Sequence, residues 1–505
     1  MAQNHYRPTR RGFLMSTAAL GAMALARPAF AQDIDYNVPE GLPAPDGPMR
    51  WLDSGGQKGV FHKEHFAGFA AAAGIDAVYD GLPWQEIGTV LPLGIRNGSA
   101  PDTFNLPFGV EPSVALAEGW IQPIDDYIPD FENWKAAYPE GAFVEGINVF
   151  NGKVYGYPYS TERRFNNALL FNQDKMNEIG YDHIGPDRAL TFDEMRDAAA
   201  KISATGMPGF IIGGKQLGRW SGTATMLAQR AGATVGSSAL LEGMDFMTGE
   251  YAYGGDAYVA GVELLLAMNS DGSVFPGVMN LIAPQAREFM TQGAAGMIIQ
   301  GPWNVPIWET NAPDFNFGVS PGPAPDEASL GNPVWVGQLP NTTNMNWLNA
   351  KARNPHHVGG YFRWLGSLEG QVAYANVASS ADPAIFPQTI EMATLSDRAV
   401  SMLNMAEKYV RVHPNPFVRN PELAKVAAKY IDPTPNLAQA VQGLFSGQLS
   451  DVRATLQSVA DARNAALDAA ISAAQAEGAQ VSRDDFSFDN WTPSQDYGPA
   501  DYAAL

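Results

Sequence analysis

Planar side chains are the residues of this sequence best suited to hold a ligand. Three tryptophans offer flat apolar faces, and five polar residues offer planar amide, carboxylate or guanidinium groups. These residues are Trp220, Trp303, Trp335, Asn105, Glu162, Arg163, Arg164 and Gln338. A sugar packs its C–H faces on aromatic rings and pairs its hydroxyl groups with planar polar groups. The combination indicates non-covalent binding of a polyhydroxylated ligand.

Many candidate residues follow predicted strands, near Leu52, Phe104, Tyr159 and Ile299. Ligands of open α/β sheets bind outside the carboxyl ends of the strands. Residues just after these strand ends are therefore expected to line the site. They are Ser54, Gln57, Asn105, Pro107, Phe108, Thr161, Glu162, Arg163 and Trp303.

Each candidate also has a structural interpretation. Core packing competes with ligand stacking for Trp303, Trp220 and Trp335. A structural ion pair is as reasonable for Glu162 and Arg163 as a ligand contact. These alternatives remain open at the level of sequence.

Arg163 and Arg164 bear on the charge of the ligand. Adjacent residues on a strand point to opposite faces, so only one of the two is expected to face the site. If both faced it, an acidic sugar such as a uronate, a sulfonate or a phosphorylated glycoside would be favoured.

Catalysis is the main alternative, because glycosidases use paired carboxylates in a long cleft. The sequence offers Asp125-Asp126, Asp484-Asp485 and Glu86, but most such pairs are solvated, and nothing assigns them acid and nucleophile roles. No nucleophile elbow, phosphate loop or dinucleotide motif stands in its strand–turn–helix setting. We predict that the protein is not an enzyme and uses no cofactor.

A metal site is the other alternative. His62 and His65 have the i, i+3 spacing that places two imidazoles on one helix face. A third ligand cannot be named, the sequence has no calcium-binding loop, and it contains no cysteine. We predict a solvent-facing helix and no metal.

Residues 1–31 have the composition of an export signal. An arginine-rich start precedes an apolar stretch over residues 13–26 and an Ala-Phe-Ala cleavage site at 29–31. Within the signal, residues 9–14 (TRRGFL) resemble the twin-arginine pattern. The apolar run is too short to span a membrane. We predict twin-arginine export to the periplasm and removal of this segment.

The remaining chain is strongly acidic. The signal segment holds four arginines and no acid, so its removal changes the net charge from −21 to −25. Such a surface repels nucleic acid and anionic lipid. The remaining 474 residues exceed one core and predict two or more domains. They include no further run that predicts a membrane span.

The order of elements predicts an α/β fold with largely parallel sheets, because short strand-like runs alternate with amphipathic helices. Strands are predicted at 49–53, 77–79, 102–106, 167–171, 210–212 and 296–299. Asn151-Gly152 predicts a hairpin over 147–159. Thr191 and Glu194 predict a capping box at a helix start. Further helices are predicted at 60–73, 355–365 and 449–476.

Three groups of motifs follow one another along the chain. The first is Asn151–Pro158 (NGKVYGYP), followed by Leu169–Asn172 and Leu190–Glu194; the second runs from Phe289 to Gly301-Pro302-Trp303; the third is Trp335–Gln338 and the helix of Pro355–Leu365. Together they resemble the family 1 extracellular solute-binding proteins of ABC transporters, over roughly residues 48–475.

The resemblance implies a type II periplasmic binding-protein fold, in which two α/β lobes are joined by a multi-crossing hinge with a ligand cleft between them. From the sequence and the resemblance together we expect a signal at 1–31, a linker at 32–47, a first lobe of 48–160 plus 300–345, a second lobe of 161–299 plus 346–476, and a C-terminal tail at 477–505.

The function implied is delivery of a sugar or sugar derivative to an ABC permease dimer by a monomer that closes around its ligand. A periplasmic glycosidase or lyase remains the alternative enzyme. A sensor that presents its ligand to a receptor remains the alternative binding protein.

Overall fold

The computed structural model describes residues 34–505 apart from residues 108, 238 and 380. The predicted export signal and Phe108 lie outside the described residues. Of the described residues, those up to Asn37 belong to one unit, and Val38–Leu505 form a second, which holds all the elements below.

The strands are short and lie throughout the chain. In chain order they are β1 (Met49–Asp53), β2 (Ala77–Gly81), β3 (Thr103–Phe104), β4 (Val149–Phe150), β5 (Lys153–Val154), β6 (Gly156–Tyr157), β7 (Ala168–Asn172), β8 (Phe210–Ile211), β9 (Met244–Asp245), β10 (Glu250–Tyr251), β11 (Met297–Gln300), β12 (Phe317–Ser320), β13 (Val334–Val336), β14 (Asn346–Leu348) and β15 (Val410–Val412).

Helices fill most of the intervals and the C-terminal third. In chain order they are α1 (Gly56–Ala72), α2 (Trp84–Asn97), α3 (Pro112–Ala117), α4 (Phe131–Ala136), α5 (Gln173–Glu178), α6 (Phe192–Ala204), α7 (Leu217–Arg230), α8 (Asp256–Ser270), α9 (Ala283–Thr291), α10 (Asn304–Asn311), α11 (Pro355–Leu365), α12 (Leu368–Ala378), α13 (Thr389–Met392), α14 (Asp397–Tyr409), α15 (Pro416–Arg419), α16 (Leu423–Lys429), α17 (Leu437–Phe445), α18 (Val452–Ala476) and α19 (Pro499–Ala503).

Two sheets organise the protein, as the predicted α/β class requires. The first has the order β2-β1-β3-β14-β6, with β1 parallel to both β2 and β3. The second has the order β12-β7-β11-β8, with β11 parallel to β8 and antiparallel to β7. The carboxyl ends of β8, β11 and β12 therefore lie at the same edge as the start of β7.

The strand pairing differs from the expected partition at two places. β12 lies within the segment 300–345 expected in the first lobe, but it pairs with β7, with Val319 opposite Leu170. β14 lies in the segment expected in the second lobe, but it pairs with β3, with Trp347 opposite Phe104. Backbone ladders thus assign these strands to the opposite sheets, and α12 packs on α1 beside the first sheet.

Local sequence signals are reproduced closely. Asn151 and Gly152 both have positive φ, 52° and 75°, as a type I′ turn between β4 and β5 requires. Thr191 accepts a hydrogen bond from the backbone N–H of Glu194, whose side chain accepts one from the backbone N–H of Thr191. This reciprocal pair is the predicted capping box at the start of α6.

His62 and His65 lie on the buried face of α1, so the expectation that they face solvent is wrong. The His62 ring stacks on Trp51 at 4.4 Å between centroids, and the His65 ring stacks on Trp364 at 5.4 Å. Both imidazoles lie in an aromatic layer between the first sheet and α11. Burial lowers the pKa of both rings.

The last residues of the chain belong to the second core. Phe486, Phe488, Trp491 and Tyr497 are buried there. The indole of Trp491 meets that of Trp335 edge to face at 5.6 Å. The predicted C-terminal tail is therefore an integral part of the packing.

Among the described residues, none of the helices combines the length and apolar character that a membrane span requires.

Candidate functional site

Three extended segments run side by side where the chain passes between the two sheets. Residues 159–162 connect β6 to β7, residues 339–341 precede β14, and residues 383–385 follow α12. Thr161 N–H donates to Pro383 at 2.8 Å, Glu162 N–H donates to Leu339 at 2.6 Å, and Asn341 N–H donates to the carbonyl of Ser160 at 3.0 Å. These bonds bind the three crossing segments into one narrow ribbon.

A buried ion pair anchors this ribbon. The guanidinium of Arg164 bonds to the carboxylate of Asp382, and it lies 3.8 Å from Glu162. Burial raises the pKa of Glu162. Burial opposes the charge of Arg164, but Glu162 and Asp382 outweigh it and raise that pKa. The side chain of Arg164 is therefore buried beside the crossing segments and is paired with acidic residues of the chain itself.

The side chain of Arg163 contacts a different part of the chain from that of Arg164, although neither residue lies in a strand. Its side chain bonds to Asp496 and donates to the carbonyl of Val410 at 3.3 Å. Arg163 therefore ties the crossing segments to the C-terminal segment. The side chains of Arg163 and Arg164 therefore do not lie in the same site.

Asn105 is fully buried at the carboxyl end of β3. Its amide nitrogen donates to the carbonyls of Asn344 and Met345, both at 2.9 Å. Its amide oxygen accepts from Lys58 Nζ at 2.8 Å. Burial lowers the pKa of Lys58. Asn105 thus joins β3 to the start of β14, and Ser54 and Gln57 lie half-buried at the start of α1 near it.

A cavity of about 400 Å³ opens beside the crossing segments. It lies between the β3–α3 connection on one side and two segments of the second core on the other, near Leu241 and Phe417. Its lining includes Pro107, Glu111, Ser113, Leu240, Leu241, Gln338, Thr342, Asn415 and Phe417. Polar and apolar groups therefore meet in one enclosed space.

The polar groups of this cavity are linked to one another. Gln338 donates to the hydroxyl of Thr342 at 3.1 Å and accepts from the amide of Asn415 at 3.2 Å. Burial raises the pKa of Glu111. Of the residues expected to line the site, Pro107 and Gln338 line this cavity.

Trp303 lies at the carboxyl edge of the second sheet, where β11 ends and α10 begins. Its indole is only partly buried. The guanidinium of Arg219 lies over the ring, 5.7 Å from the centroid. Part of the indole is accessible, so Trp303 stays a candidate for stacking on a ligand.

The structure places Trp220 and Trp335 in the second core, so these two sequence-based site assignments are corrected. The indole of Trp220 is fully buried against Phe445, and its Nε1 donates to the carbonyl of Gly214 at 2.8 Å. Trp335 donates through Nε1 to the carbonyl of Pro493 at 2.9 Å beneath the C-terminal segment. Neither ring has a face open to a ligand.

The sequence analysis did not name three charged residues that the structure places at the cavity or beside Trp303. They are Glu111, Arg219 and Arg287. Arg219 lies in the first turn of α7, shortly after β8, so the strand-end rule could have found it. Glu111 starts the helix after β3 and follows the same rule. Arg287 lies on α9, and only the three-dimensional packing brings it beside the end of β11.

Among the described residues, no group of three or more histidine, cysteine or acidic side chains is arranged to hold a metal ion.

Two β-sheets, each packed with helices into a lobe, are joined by three crossing segments. This architecture defines a two-lobed binding protein with the type II periplasmic fold. The same fold occurs in the solved structure of the Thermus thermophilus maltotriose binding protein with maltotriose. That structure is 18% identical, has a TM-score of 0.59, and aligns over 83% of this chain and 100% of its own.

Two further solved structures share the fold. An ABC transporter solute binding protein of Thermotoga lettingae, bound with α-D-tagatose, is 17% identical with a TM-score of 0.61, over 84% of this chain and 100% of its own. The GacH receptor of Streptomyces glaucescens, studied unliganded and with acarbose, is 17% identical with a TM-score of 0.62, over 84% and 98%.

The sequence model for bacterial extracellular solute-binding proteins matches residues 56–372. An uncharacterized ABC transporter extracellular-binding protein of Pyrococcus horikoshii is 23% identical over 288 residues, 57% of this chain and 59% of its own length. A Brucella abortus protein, provisionally named as a binding protein, is 25% identical over 321 residues, 61% and 67% of the two chains. This chain belongs to the bacterial extracellular solute-binding proteins, family 1, of ABC transporters.

Proposed function

We propose that this protein captures a carbohydrate between its lobes and delivers it to the permease dimer of an ABC importer. The observation that carries the proposal is the cavity beside the three crossing segments, which is lined from both sides of the crossing. Small backbone rotations in three short segments can open and close such a cleft while both cores stay intact. The ligand favours the closed state by as much as its affinities for the two states differ.

The lobes follow the strand pairing. One lobe contains the first sheet with α1, α11 and α12, and the other contains the second sheet with the C-terminal helices. Relative to the partition expected from sequence, β12 moves to the second lobe, and β14 moves with α11 and α12 to the first.

The chemistry of the cavity suits a carbohydrate. Gln338, Thr342 and Asn415 supply planar or hydroxyl hydrogen-bonding groups, while Leu240 and Phe417 supply apolar surface. Its volume lies within the usual range for small-molecule sites. The neighbouring structures with tagatose, acarbose and maltotriose support the same ligand class.

The ligand contacts in this proposal come from partly exposed residues of the predicted set. They are Trp303, Gln338, Ser54, Gln57 and Glu162; Phe108, which lies outside the described residues, stays in the proposed set. Asn105 and Arg163 act on the site indirectly, since their polar atoms bond to other parts of the chain. Residues 1–31 direct twin-arginine export, and the remaining chain works in the periplasm as a monomer.

The protein acts by binding, without covalent chemistry. Asp125, one of the paired acids, accepts a hydrogen bond from the backbone N–H of Val154 at 2.9 Å and pairs with Lys153 at 3.4 Å, which gives it a structural role at the β4–β5 hairpin. Delivery to a receptor instead of a permease would use the same closed form, and genes for two permeases and an ATPase beside this one would favour transport.

Calorimetric titration of residues 32–505 with neutral and acidic oligosaccharides tests the proposal. We expect one carbohydrate class to bind, and Gln338→Ala to weaken that binding about ten-fold through loss of a hydrogen bond. The matched control is Gln457→Ala, since Gln457 lies on α18 and bonds to Asp461. Mass spectrometry of the recovered sugar then separates a binding protein, which returns it intact, from an enzyme, which returns a product.

A further inference from the structure

Two arginines converge on Trp303 at the carboxyl edge of the second sheet. Arg219 lies over the indole ring at 5.7 Å. Arg287 donates to Asn304 Oδ1 at 3.5 Å, at the first residue of α10. We name Arg219, Arg287, Trp303, Asn304 and Gln300 the arginine site.

Neither arginine has an acidic partner within 4.0 Å anywhere in the described part of the chain. This is notable in a protein with 53 acidic and 32 basic residues. Arg188 and Arg196, by comparison, each pair with a carboxylate within 3 Å. Burial lowers the pKa of Arg219, and burial together with the charge of Arg219 lowers that of Arg287. Two partly buried positive charges thus face each other without compensation.

Beneath the arginines lie two polar side chains with unused hydrogen-bonding groups. Gln300 is 1% exposed and Asn304 is fully buried. Gln300 Oε1 and Asn304 Nδ2 have no hydrogen-bond partner among the described residues. Buried polar groups in native proteins are normally satisfied, so such groups indicate a missing partner.

Backbone dipoles add to the positive potential. α7, α9 and α10 all begin here, because Gln216 at the start of α7 accepts from Ala283 N–H at 2.6 Å, and Gln300 donates to the carbonyl of Ala283 at 3.2 Å. Helix N-termini attract anions. Guanidinium groups bind carboxylate, phosphate and sulfonate oxygens in bidentate geometry.

We propose that the carbohydrate carries an anionic group, a carboxylate, phosphate or sulfonate, and that Arg219 and Arg287 bind this group beside the ring of Trp303. This inference rests on the proposed function and specifies its substrate class. It replaces the Arg163-Arg164 pair as the source of charge selectivity, since those two side chains serve the crossing segments.

The test compares matched sugars by calorimetry at constant ionic strength. The probes are D-galacturonate against D-galactose, D-glucuronate against D-glucose, and D-glucose 6-phosphate, together with sulfate and phosphate alone. We expect an acidic sugar to bind at least ten-fold more tightly than its neutral counterpart. Arg219→Gln and Arg287→Gln should each weaken its binding about ten- to hundred-fold, as expected for loss of a hydrogen bond between charged groups.

Two further variants give the result its meaning. Arg453→Gln removes an exposed arginine that pairs with Asp256 and should leave binding unchanged. The unliganded Arg219→Gln protein should melt at the same temperature as the parent or higher, because it loses a partly buried unpaired charge. A structural role for Arg219 would lower that melting temperature instead.

Each outcome bears on one of the two proposals. Tight binding of a neutral sugar that is unaffected by Arg219→Gln would overturn the anion assignment and leave carbohydrate capture standing. Binding of sulfate or phosphate that Arg219→Gln and Arg287→Gln abolish, without binding of any sugar, would support anion binding at the arginine site and count against carbohydrate capture. Binding of none of these acidic probes, while a neutral oligosaccharide binds, would overturn the anion assignment and leave carbohydrate capture standing.

Discussion

The guanidinium of Arg164 and the carboxylate of Asp382 form an ion pair between residues that flank the first and third crossing segments. Both side chains are largely buried, and Asn344, shortly after the second crossing segment, also donates to Asp382. The three passages of the chain between the sheets therefore share one electrostatic anchor. In the proposed function, this anchor holds the three segments together while the lobes open and close.

Replacing Asp382 with Asn should destabilise the protein markedly. It leaves the buried charge of Arg164 with only the more distant carboxylate of Glu162, at 3.8 Å. Removing one partner of a buried ion pair costs about 3 kcal/mol. The measurement is the free energy of unfolding in urea.

Asp187→Asn is the control for that experiment. Asp187 pairs with Lys408 at 3.0 Å on the surface, and exposed pairs contribute less than about 1 kcal/mol. Equal stabilities for the two variants would contradict the anchoring role of Asp382.

Substitution of Trp220 should mainly lower stability, whereas substitution of Trp303 should mainly lower ligand affinity. Trp220→Ala removes a fully buried ring, and such changes cost about 3–5 kcal/mol of folding free energy. Trp303→Ala should cost less stability but weaken ligand binding by about 1–2 kcal/mol if the ring stacks on the sugar. Parallel urea denaturation and calorimetry measure both quantities. Unchanged ligand affinity in Trp303→Ala would remove this ring from the site.

Much of the local structure could be predicted from sequence. Asn151-Gly152 and the Thr191–Glu194 capping box are signals within a few residues, and both structures form as expected. The fate of Trp220 could not be predicted, because a tryptophan near a strand end suits a core and a cleft equally. His62 and His65 were misassigned because the helix packs against Trp51 of β1 and against Trp364 from a distant part of the chain. The partners of β12 and β14 depend on long-range pairing, which short motifs do not encode.

His413 should make stability depend on pH. Its ring is buried on Phe246 at 4.4 Å, and burial lowers its pKa to about 4. The ordinary value of about 6.5 applies to the unfolded chain. Below pH 6.5 the His413 ring is therefore protonated in the unfolded state, whereas in the folded state it stays neutral down to about pH 4. The stability contributed by neutral His413 is complete above pH 6.5 and is lost as the pH falls to 4.

His413→Gln should abolish this component. The parent should lose about 3 kcal/mol more than the variant between pH 7 and pH 4. Urea midpoints measured across this range give the difference, in which other titrating groups cancel. The half-exposed His183 provides the control, and a His183→Gln protein should follow the parent. Parallel curves for the parent and His413→Gln would show that His413 is not the cause.

The C-terminal segment should be required for the second core. Phe488 is fully buried, and its backbone N–H donates to the carbonyl of Phe246 at 2.7 Å. Phe488→Ala should cost about 3–5 kcal/mol, whereas the exposed Leu505→Ala should change stability by less than about 0.5 kcal/mol. Thermal unfolding measures both. A small effect of Phe488→Ala would mean that the segment lies loosely on the surface.

Thermal unfolding of residues 32–505 with a panel of sugars tests carbohydrate capture most directly. The panel contains neutral oligosaccharides, polyols, uronates and sulfonated sugars, with amino acids, peptides and polyamines beside them. A ligand that binds only the folded state at a hundred times its Kd adds about 2.7 kcal/mol of stability. We predict that at least one carbohydrate raises the melting temperature by about 2 °C or more. A rise with an amino acid, a peptide or a polyamine, and with none of the sugars, would contradict the account.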